Sequence, residues 1–310
     1  MVAIDRRIGY LPLNDRPKIK WPNNARVAFW VIPNVEFYEY LPPPRKVSQD
    51  RGFGNPTFPH PDINGNIRKD YGNRIGFWRM AKVMDKYNIR CTVNSNLGLL
   101  EHFPDERDAM VERNWDFCCH AIYNTRSEPD GCTVEEQRAF VKECIDILKR
   151  TTGKQLKGFN ILGRATEEFP DILAEAGLTY HADYFHDDQP TPLRVNSGRL
   201  VSMPYGGDIN DSVMTSRNRA QEADYLFETV KDSFDRLYEE GEENGMVLCL
   251  ALHPWCSGYP YRIKHLERIF DYVMSHDGVW QTTADDIAEY YLANYHDQVM
   301  AHMEKIEKDQ

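Results

Sequence analysis

Two almost wholly apolar segments that lie far apart in the chain constrain the fold most strongly. Residues 26–33 read RVAFWVIP and residues 246–253 read MVLCLALH, and polar sequence bounds each of them. A short, unbroken apolar run is typical of a strand that is covered on both faces, as in a parallel sheet packed between helices. The two segments therefore predict buried strands of a parallel sheet.

Strands and amphipathic helices alternate along almost all of the remaining chain. The helix predicted at 133–150 begins with Thr133 as its N-cap and has Glu136 three residues later, which is the pattern of a capping box. The other predicted helices lie at 75–87, 97–103, 105–114, 170–176, 220–240, 262–275 and from 284 onward. The other predicted strands lie at 90–94, 116–120, 156–161, 178–182, 200–204 and 279–282.

This alternation predicts an α/β protein with a mainly parallel sheet. A closed or nearly closed β/α barrel is favoured, and an open doubly wound sheet is the alternative. We expect a single domain over residues 1–310, with a Pro-rich arm at 1–25 and a long Pro/Gly/Asn-rich loop at 41–69. The segment VIPNVEFYEY after the first strand has no glycine, so a phosphate-binding loop is not expected there.

Charge and cysteine content narrow the classes of partner. The net charge is -11 and no basic stripe occurs, so neither nucleic acid nor an anionic membrane is an expected partner. No apolar stretch approaches the length of a membrane span, and the N-terminus lacks the apolar core of a secretory signal. The 7 cysteines show no framework spacing, which indicates free thiols in a reducing compartment. We therefore expect a cytoplasmic protein.

Polar side chains collect where the predicted strands end. Glu36 follows the first strand, Asn94 ends the second, His120 ends the third, Glu167 follows the fourth, and His253 ends the last long apolar strand. Catalytic residues of β/α barrels lie at the carboxyl ends of the strands. Histidines and carboxylates that converge on one rim are the makeup of a hydrolytic site.

Each candidate also has a structural interpretation. A histidine at a strand end can be a buried, hydrogen-bonded side chain, although the apolar run before His253 favours a functional role for it, and His120 is placed similarly. Glu36 could be a solvated loop carboxylate, and Glu167 could serve the N-terminus of the following helix. Arg74 could clamp an anionic substrate, but it has other arginines nearby in the sequence.

Four segments carry a resemblance to a known family. They read YGNRIGFWRMAKVMDKYNIRCTVNSN from Tyr71, DFCCHAIYN from Asp116, ILAEAGLTYHADYFHDDQP from Ile172, and LALHPWCSGYPYRIKHLERIFDYVMSHDGVWQTTADDIAEYY from Leu250. Together they resemble the polysaccharide-deacetylase (NodB-homology) superfamily over about residues 20–292. The most similar branch is that of the allantoinase-like and cyclic imide hydrolase-like proteins. The resemblance implies a distorted (β/α) barrel of the NodB type, in agreement with the strand–helix alternation.

The metal-binding motifs of that family are altered in this chain. Sugar deacetylases have an Asp pair after the first strand, a base and a metal ligand, whereas NVEFYE offers only Glu36. The metal-binding His pair of the family becomes HAIYN, in which His120 is kept and Asn124 replaces the second histidine. The resemblance therefore implies that Glu36, His120 and Asn124 hold a zinc ion weakly or not at all, because an amide is a weak zinc ligand. It also implies that His253 is the general acid.

These departures favour a small cyclic imide, lactam or ureide over a sugar acetamide, which demands fuller metal activation of water. In this hypothesis water attacks a ring carbonyl, Glu36 acts as base or metal ligand, His120 with Asn124 binds metal or polarises the carbonyl, and His253 protonates the leaving nitrogen. The residues expected to bind the substrate are Arg74, Asn94, Asn124 and Glu167.

Two alternatives remain open. The first is a metal-dependent N-deacetylase of a polysaccharide or amino sugar, and the second is an inactive family member that serves as a binding subunit. The resemblance also implies a homo-oligomer, either a dimer or a tetramer.

Overall fold

The secondary structure is seen in a computed structural model that describes residues 7–43, 61, 63–126, 128–161, 165–214 and 223–309. Its strands are β1 (Val27–Val35), β2 (Thr92–Ser95), β3 (Asp116–Cys119), β4 (Gly158–Phe159), β5 (Tyr180–His181), β6 (Thr191–Leu193), β7 (Leu200–Ser202), β8 (Met246–Leu252) and β9 (Val279–Thr282). Its α-helices are α1 (Ile63–Tyr71), α2 (Phe77–Lys86), α3 (Leu99–His102), α4 (Pro104–Glu112), α5 (Val134–Thr152), α6 (Phe169–Glu175), α7 (Asp211–Met214), α8 (Tyr225–Glu240), α9 (Pro254–Ser257), α10 (Ile263–Met274), α11 (Ala284–Asn294) and α12 (His296–Asp309). A π-helical turn at Gly72–Gly76 joins α1 to α2.

The strands form one curled sheet in the order β6-β7-β5-β4-β3-β2-β1-β8, and β9 also pairs with β1. All pairings are parallel except that of β6 with β7. Irregular backbone closes the remaining gap: the Ala251 N–H donates to the Ile209 carbonyl (3.1 Å) and the Val247 N–H to the Asp188 carbonyl (2.9 Å). The sheet is therefore a distorted (β/α) barrel, as predicted, and not an open doubly wound sheet.

The two apolar segments form neighbouring central strands, as predicted. Every residue of β1 and of β8 is buried. Alternate residues face opposite sides of the sheet, so Trp30 and Ile32 belong to one core cluster and Phe29 and Val31 to the other. Asn34 follows Ile32 by two residues and lies on the same face, where β1 reaches its carboxyl end.

The predicted helix at 133–150 is confirmed as α5 together with its capping box. The Thr133 hydroxyl oxygen accepts from the Glu136 N–H (3.3 Å), and the Glu136 carboxylate accepts from the Thr133 N–H (2.8 Å). The other predicted strands are also present, at bounds that differ by a few residues.

The predicted loop at 41–69 is wrong in its last part. Residues 44–60 and 62 lie outside the described residues, whereas 63–69 form most of α1. The sequence INGNIRKDY has a weak intrinsic helix propensity, so tertiary contacts decide its conformation. Among them, the Asn66 side chain donates to the Tyr38 carbonyl (2.7 Å), and the Lys69 ammonium lies on the Trp255 ring.

Three further differences concern two helices and a short strand. The predicted terminal helix breaks at Tyr295 into α11 and α12. The predicted helix at 220–240 begins at Tyr225 in the structure, and 220–222 lie outside the described residues. Strand β6 was not predicted, because Pro192 at its centre argues against a strand.

The described part of the N-terminal arm packs against the barrel of its own chain. The side chain of Trp21 is buried, and its indole N–H donates to the Met246 carbonyl (2.9 Å). Arg7 pairs with Asp171 (2.7 Å) and Arg16 with Asp187 (2.8 Å). No helix within the described ranges is long and apolar enough to cross a membrane.

Candidate active site

A layer of asparagine side chains lies at the carboxyl ends of the central strands. Asn34 is in register with Asn94, and Asn94 with Cys118, so His120 follows two residues later on the same face. The Asn94 amide donates to the side-chain oxygens of Asn34 (2.7 Å) and of Asn160, which follows β4 (3.0 Å). We call Asn34, Asn94 and Asn160 the amide layer; it supports the side chains of the site.

Glu36 is the point at which the candidate side chains meet. It follows β1 directly and is only 5% exposed. The Asn124 amide donates to its Oε1 (3.1 Å), and the Trp255 indole N–H donates to its Oε2 (2.6 Å). The same Oε1 lies 3.7 Å from His120 Nε2 and 4.0 Å from His253 Nε2. The structure therefore brings together all three predicted catalytic residues and Asn124.

The electrostatic surroundings keep Glu36 ionised. Burial would raise its pKa, but the positive charge of Lys69, together with His120 and His253, outweighs burial and holds the pKa of Glu36 well below its ordinary value. Such a carboxylate is a strong acceptor for a water O–H but a weak base. A proton that it takes from water must therefore pass to a neighbouring group, and the two imidazoles are the nearest ones.

The tautomer of His120 follows from its contact with backbone. Its Nδ1 lies 2.6 Å from the Asn160 carbonyl, which can only accept, and 2.9 Å from the Asn94 amide nitrogen, whose two N–H groups donate to Asn34 and Asn160, so Nδ1 carries the proton. The other nitrogen, Nε2, is buried and has no hydrogen-bond partner among the described residues. In the neutral ring Nε2 is an acceptor that faces Glu36, so the two residues can hold one water or one substrate N–H between them.

His253 is oriented by a buried aspartate that sequence reasoning missed. Asp211, at the start of α7, accepts from His253 Nδ1 (2.7 Å) and from the His253 backbone N–H (2.9 Å). Its second oxygen also accepts from the Ser257 hydroxyl (2.6 Å). The aspartate thus fixes Nδ1 as the donor and stabilises an imidazolium when Nε2 takes up a proton.

Trp255 and Lys69 cover Glu36 on the side of α1. The Lys69 Nζ lies 3.0 Å from the centroid of a Trp255 ring and 4.9 Å from that of Tyr38. Burial lowers the pKa of Lys69 to about 8, although the charge of Glu36 opposes this shift. The π-helical turn packs closely against Trp255 because residue 72 is glycine. A Cβ on Gly72 would lie 2.8 Å from the Trp255 backbone nitrogen.

The donor set does not fit a tightly held zinc ion. Catalytic zinc needs three protein ligands; Glu36, His120 and His253 converge, but no group of three His, Cys, Asp or Glu side chains within the described ranges has the spacing of a metal site. Both Glu36 oxygens already accept hydrogen bonds, from Asn124 and from Trp255. The predicted weak site formed by Glu36, His120 and Asn124 therefore supplies one carboxylate and one imidazole, and Asn124 turns an N–H group toward the carboxylate.

Three predicted substrate-binding residues have other places in the structure. Asn94 is 0% exposed and belongs to the amide layer beneath His120, so it supports the site and does not line it. The Arg74 side chain is 74% exposed and pairs with Asp70 one helical turn away. Glu167 lies on an exposed turn, where its charge acts on Arg7. Arg74 and Glu167 therefore lie outside the group of side chains that meets at Glu36, because a position near a strand end does not determine the direction of a long, charged side chain.

Lys69, Trp255 and Asp211 were not predicted. Trp255 had a signal, because it stands two residues after His253 in the segment HPW. Lys69 lies within the segment that was predicted to be a loop. Asp211 lies between β7 and α8, in a stretch for which no helix or strand was predicted. Neither aspartate nor lysine carries a periodic signal that indicates burial.

The chain is similar to polysaccharide deacetylases in sequence and in structure. The family model "Polysaccharide deacetylase" matches residues 69–181. A Schizosaccharomyces pombe protein named "Putative polysaccharide deacetylase" is 24% identical, over 92% of this chain and 95% of its own length. The crystal structure of a "probable Polysaccharide deacetylase" from Pseudomonas aeruginosa has a TM-score of 0.80 at 26% identity and covers 91% of this chain and 96% of its own. That of PuuE allantoinase has a TM-score of 0.79 at 27% identity and covers 90% and 94%.

Proposed function

Because the chain belongs to the polysaccharide-deacetylase superfamily, we propose that it hydrolyses a carbon–nitrogen amide bond in a small cyclic imide, lactam or ureide. One observation carries the proposal: His120 Nε2 and His253 Nε2 both lie within 4.0 Å of one oxygen of the ionised Glu36. A carboxylate and two imidazoles at such distances can hold a water and move its protons.

The reaction adds water across the amide bond. Glu36 Oε1 and His120 Nε2 accept the two hydrogens of the attacking water, whose oxygen bonds to the ring carbonyl carbon. Glu36 takes one proton and passes it to His253 Nε2, and Asp211 stabilises the resulting imidazolium. The C–N bond then breaks, and His253 donates this proton to the leaving nitrogen.

The donor set favours a ring amide over a sugar acetamide. A sugar acetamide is unactivated, and its hydrolysis relies on a metal ion that lowers the pKa of water and polarises the carbonyl. The site has too few ligands to hold zinc tightly, whereas the amide of a strained or imide ring is already activated. The likeness to PuuE allantoinase supports the same substrate class.

N-deacetylation of an amino sugar is the second candidate. The names of the S. pombe and P. aeruginosa relatives favour it. It predicts release of acetate from chitooligosaccharides and dependence on added zinc, whereas ring opening releases no second product.

A substrate screen tests the proposal. The purified protein is assayed against cyclic imides, hydantoins and allantoin by loss of ring absorbance, and against chitooligosaccharides by release of acetate. We expect opening of at least one ring class, loss of this activity in His253→Ala, and retention in the control His302→Ala, whose histidine lies on α12. Acetate release without ring opening would replace the proposal by the second candidate, and a protein inert in both assays would indicate a binding subunit.

We further propose a cytoplasmic location, a small molecule as the substrate, and assembly into a dimer or tetramer. The acidic charge of -11 supports the absence of nucleic-acid and membrane partners. Exposed apolar side chains on the arm, Tyr10 (65%) and Leu13 (52%), support self-association. Sedimentation velocity distinguishes a monomer of 36.2 kDa from these assemblies.

A further inference from the structure

Lys69 occupies an unusual position for a lysine. Its side chain extends from the last turn of α1 and is partly buried, and its ammonium lies against the rings of Trp255 and Tyr38. A buried cation usually pairs with a carboxylate, because burial without a partner carries a large desolvation cost. Among the described residues, however, Lys69 makes no hydrogen bond and no ion pair, and aromatic faces are the contacts of its charge.

The ammonium therefore has donors to offer. It carries three N–H groups and no acceptor site, and cation–π contacts stabilise its charge without using those N–H groups in conventional hydrogen bonds. The charge of Lys69 acts on the site: of the groups that lower the pKa of Glu36, Lys69 has the largest effect. An oxygen of a molecule bound near Glu36 would accept a hydrogen bond from the Lys69 ammonium.

We propose that Lys69 is a catalytic residue whose ammonium donates to the carbonyl oxygen of the attacked amide and stabilises the negative charge that forms there. The inference rests on the proposed function. As the water oxygen bonds to the carbonyl carbon, the π electron pair moves to the carbonyl oxygen, and Lys69 holds this oxyanion. When the pair returns, the C–N bond breaks and its electrons leave with the nitrogen, which receives the proton from His253.

In this role Lys69 supplies the positive charge at the carbonyl oxygen that the altered metal motif cannot supply through a tightly held zinc ion. In metal-dependent hydrolysis a cation polarises the carbonyl, whereas the site has too few ligands for a tightly held zinc ion. A preorganised, partly buried ammonium stabilises an oxyanion strongly, because no carboxylate of the described residues is paired with it.

A purely structural role for Lys69 makes different predictions. In that case the lysine only holds Trp255 in place, and Trp255 in turn donates to Glu36 Oε2 (2.6 Å). Its removal would then lower thermal stability and weaken substrate binding, and no ionisation of Lys69 would show in the kinetics.

The test compares Lys69→Met, Lys69→Arg and the control Lys82→Met, whose lysine is exposed on α2, on the ring substrate that the wild type opens best. We expect Lys69→Met to lower kcat by about 10²–10³-fold with KM changed by less than about threefold, the signature of a lost transition-state contact. Lys69→Arg should retain more activity than Lys69→Met, and Lys82→Met should match the wild type.

The pH profile provides a readout that a structural role would not move. The charged or ionisable groups that act on Lys69 are Glu36, Asp211, Arg68 and Cys256. The pKa of Lys69 is about 8, so kcat/KM of the wild type should fall above this pH as the ammonium loses its proton. This alkaline limb should be absent in Lys69→Arg, because a guanidinium stays charged.

Each outcome has a distinct meaning. An active wild type with Lys69→Met indistinguishable from Lys82→Met would overturn the role of Lys69 and leave the proposed function standing, as would an alkaline limb unchanged in Lys69→Arg. A wild type that opens no ring would overturn both. If Lys69→Met does not fold, the profile of Lys69→Arg decides alone.

Discussion

The two ends of the barrel treat buried charge in opposite ways. At the amino end, Arg90 precedes β2 and pairs with Asp116 (2.7 Å) and with Asp286 (2.7 Å). The buried Asp285 lies 3.8 Å from the Lys157 ammonium and accepts from the Tyr180 hydroxyl (3.0 Å). Each of these ionisable groups thus has an oppositely charged or hydrogen-bonding partner, although burial still raises the pKa of Asp285.

At the carboxyl end, comparable groups are held without complete pairing. Lys69 rests on aromatic rings, and His120 Nε2 has no partner within the described part of the chain. Glu36 Oε1 lies 3.7 Å from His120 Nε2 and 4.0 Å from His253 Nε2. These distances are too long for direct hydrogen bonds but suit a molecule bound between the three groups. Such incomplete satisfaction costs stability and indicates that a ligand completes the network. We therefore assign stability to the amino end and chemistry to the carboxyl end.

The largest expected effect comes from removing the carboxylate at the carboxyl end. Glu36→Gln keeps the shape of the side chain but loses the charge, so it can no longer take a proton from water. We expect kcat/KM for ring opening to fall by about 10³-fold, because the variant loses the acceptor that holds the water and the relay of its proton to His253. The exposed Glu243, changed to Gln, is the control, and equal activity of the two variants would refute the assignment of Glu36.

A smaller loss is expected when the orientation of His253 is disturbed. Asp211→Asn can still accept from Nδ1, but its amide can also turn toward the ring and favour the wrong tautomer. We expect kcat to fall by about 10²-fold or more with little change in KM. The nearby exposed Asp208, changed to Asn, controls for the loss of one negative charge.

A still smaller loss of activity is expected when the indole N–H of Trp255 is removed. Trp255→Phe keeps an aromatic face for Lys69 but removes the N–H group that donates to Glu36 Oε2. We expect kcat/KM to fall by about 10–30-fold, the lower part of the range for one hydrogen bond to a charged group. Trp280→Phe, on β9, serves as the control, and a Trp255→Phe variant with full activity would show that this contact does not position the carboxylate.

The smallest expected effect on catalysis comes from a substitution at the amino end, which should instead change the free energy of unfolding. Burial, together with the charge of Asp116, raises the pKa of Asp285 to about 7 from 3.8. The folded state thus binds this proton more tightly than the unfolded chain does, so the stability from protonation is fully present below about pH 4 and is lost as the pH rises through about 7.

Asp285→Asn should remove this pH dependence without affecting ring opening. At pH 8 we expect its free energy of unfolding to exceed that of the wild type by on the order of 3 kcal/mol, and at pH 4 to be nearly equal to it. Urea unfolding at the two pH values measures the difference, with the exposed Asp271→Asn as control. A loss of activity in Asp285→Asn would break the division between the two ends.

The sequence predicted the parts of the fold that depend on periodicity. Apolar runs identified β1 and β8, and the Thr133–Glu136 pair identified the start of α5, because burial and capping leave local patterns. Helix α1 and strand β6 escaped prediction because their local sequences disfavour the structures that tertiary contacts impose.

The site was predictable only where a side chain leaves the end of a strand. Glu36, His120 and His253 follow directly from strand positions, whose directions the sheet determines. Lys69 and Asp211 come from a short helix and from a connection between distant elements, and only the three-dimensional fold brings them to Glu36. The long side chains of Arg74 and Glu167 turn outward, since water solvates their charges at less cost than the interior does.

The most direct test of the central claim is the turnover of a ring substrate by metal-stripped protein. The wild type is dialysed against a strong chelator, its metal content is measured, and kcat/KM is determined with and without added zinc. We predict that ring opening persists at an unchanged rate with less than about 0.1 metal ion per chain, because Glu36, Lys69 and the two histidines supply the charges and proton acceptors that the reaction requires. Activity that disappears with the metal and returns on addition of zinc would contradict the account.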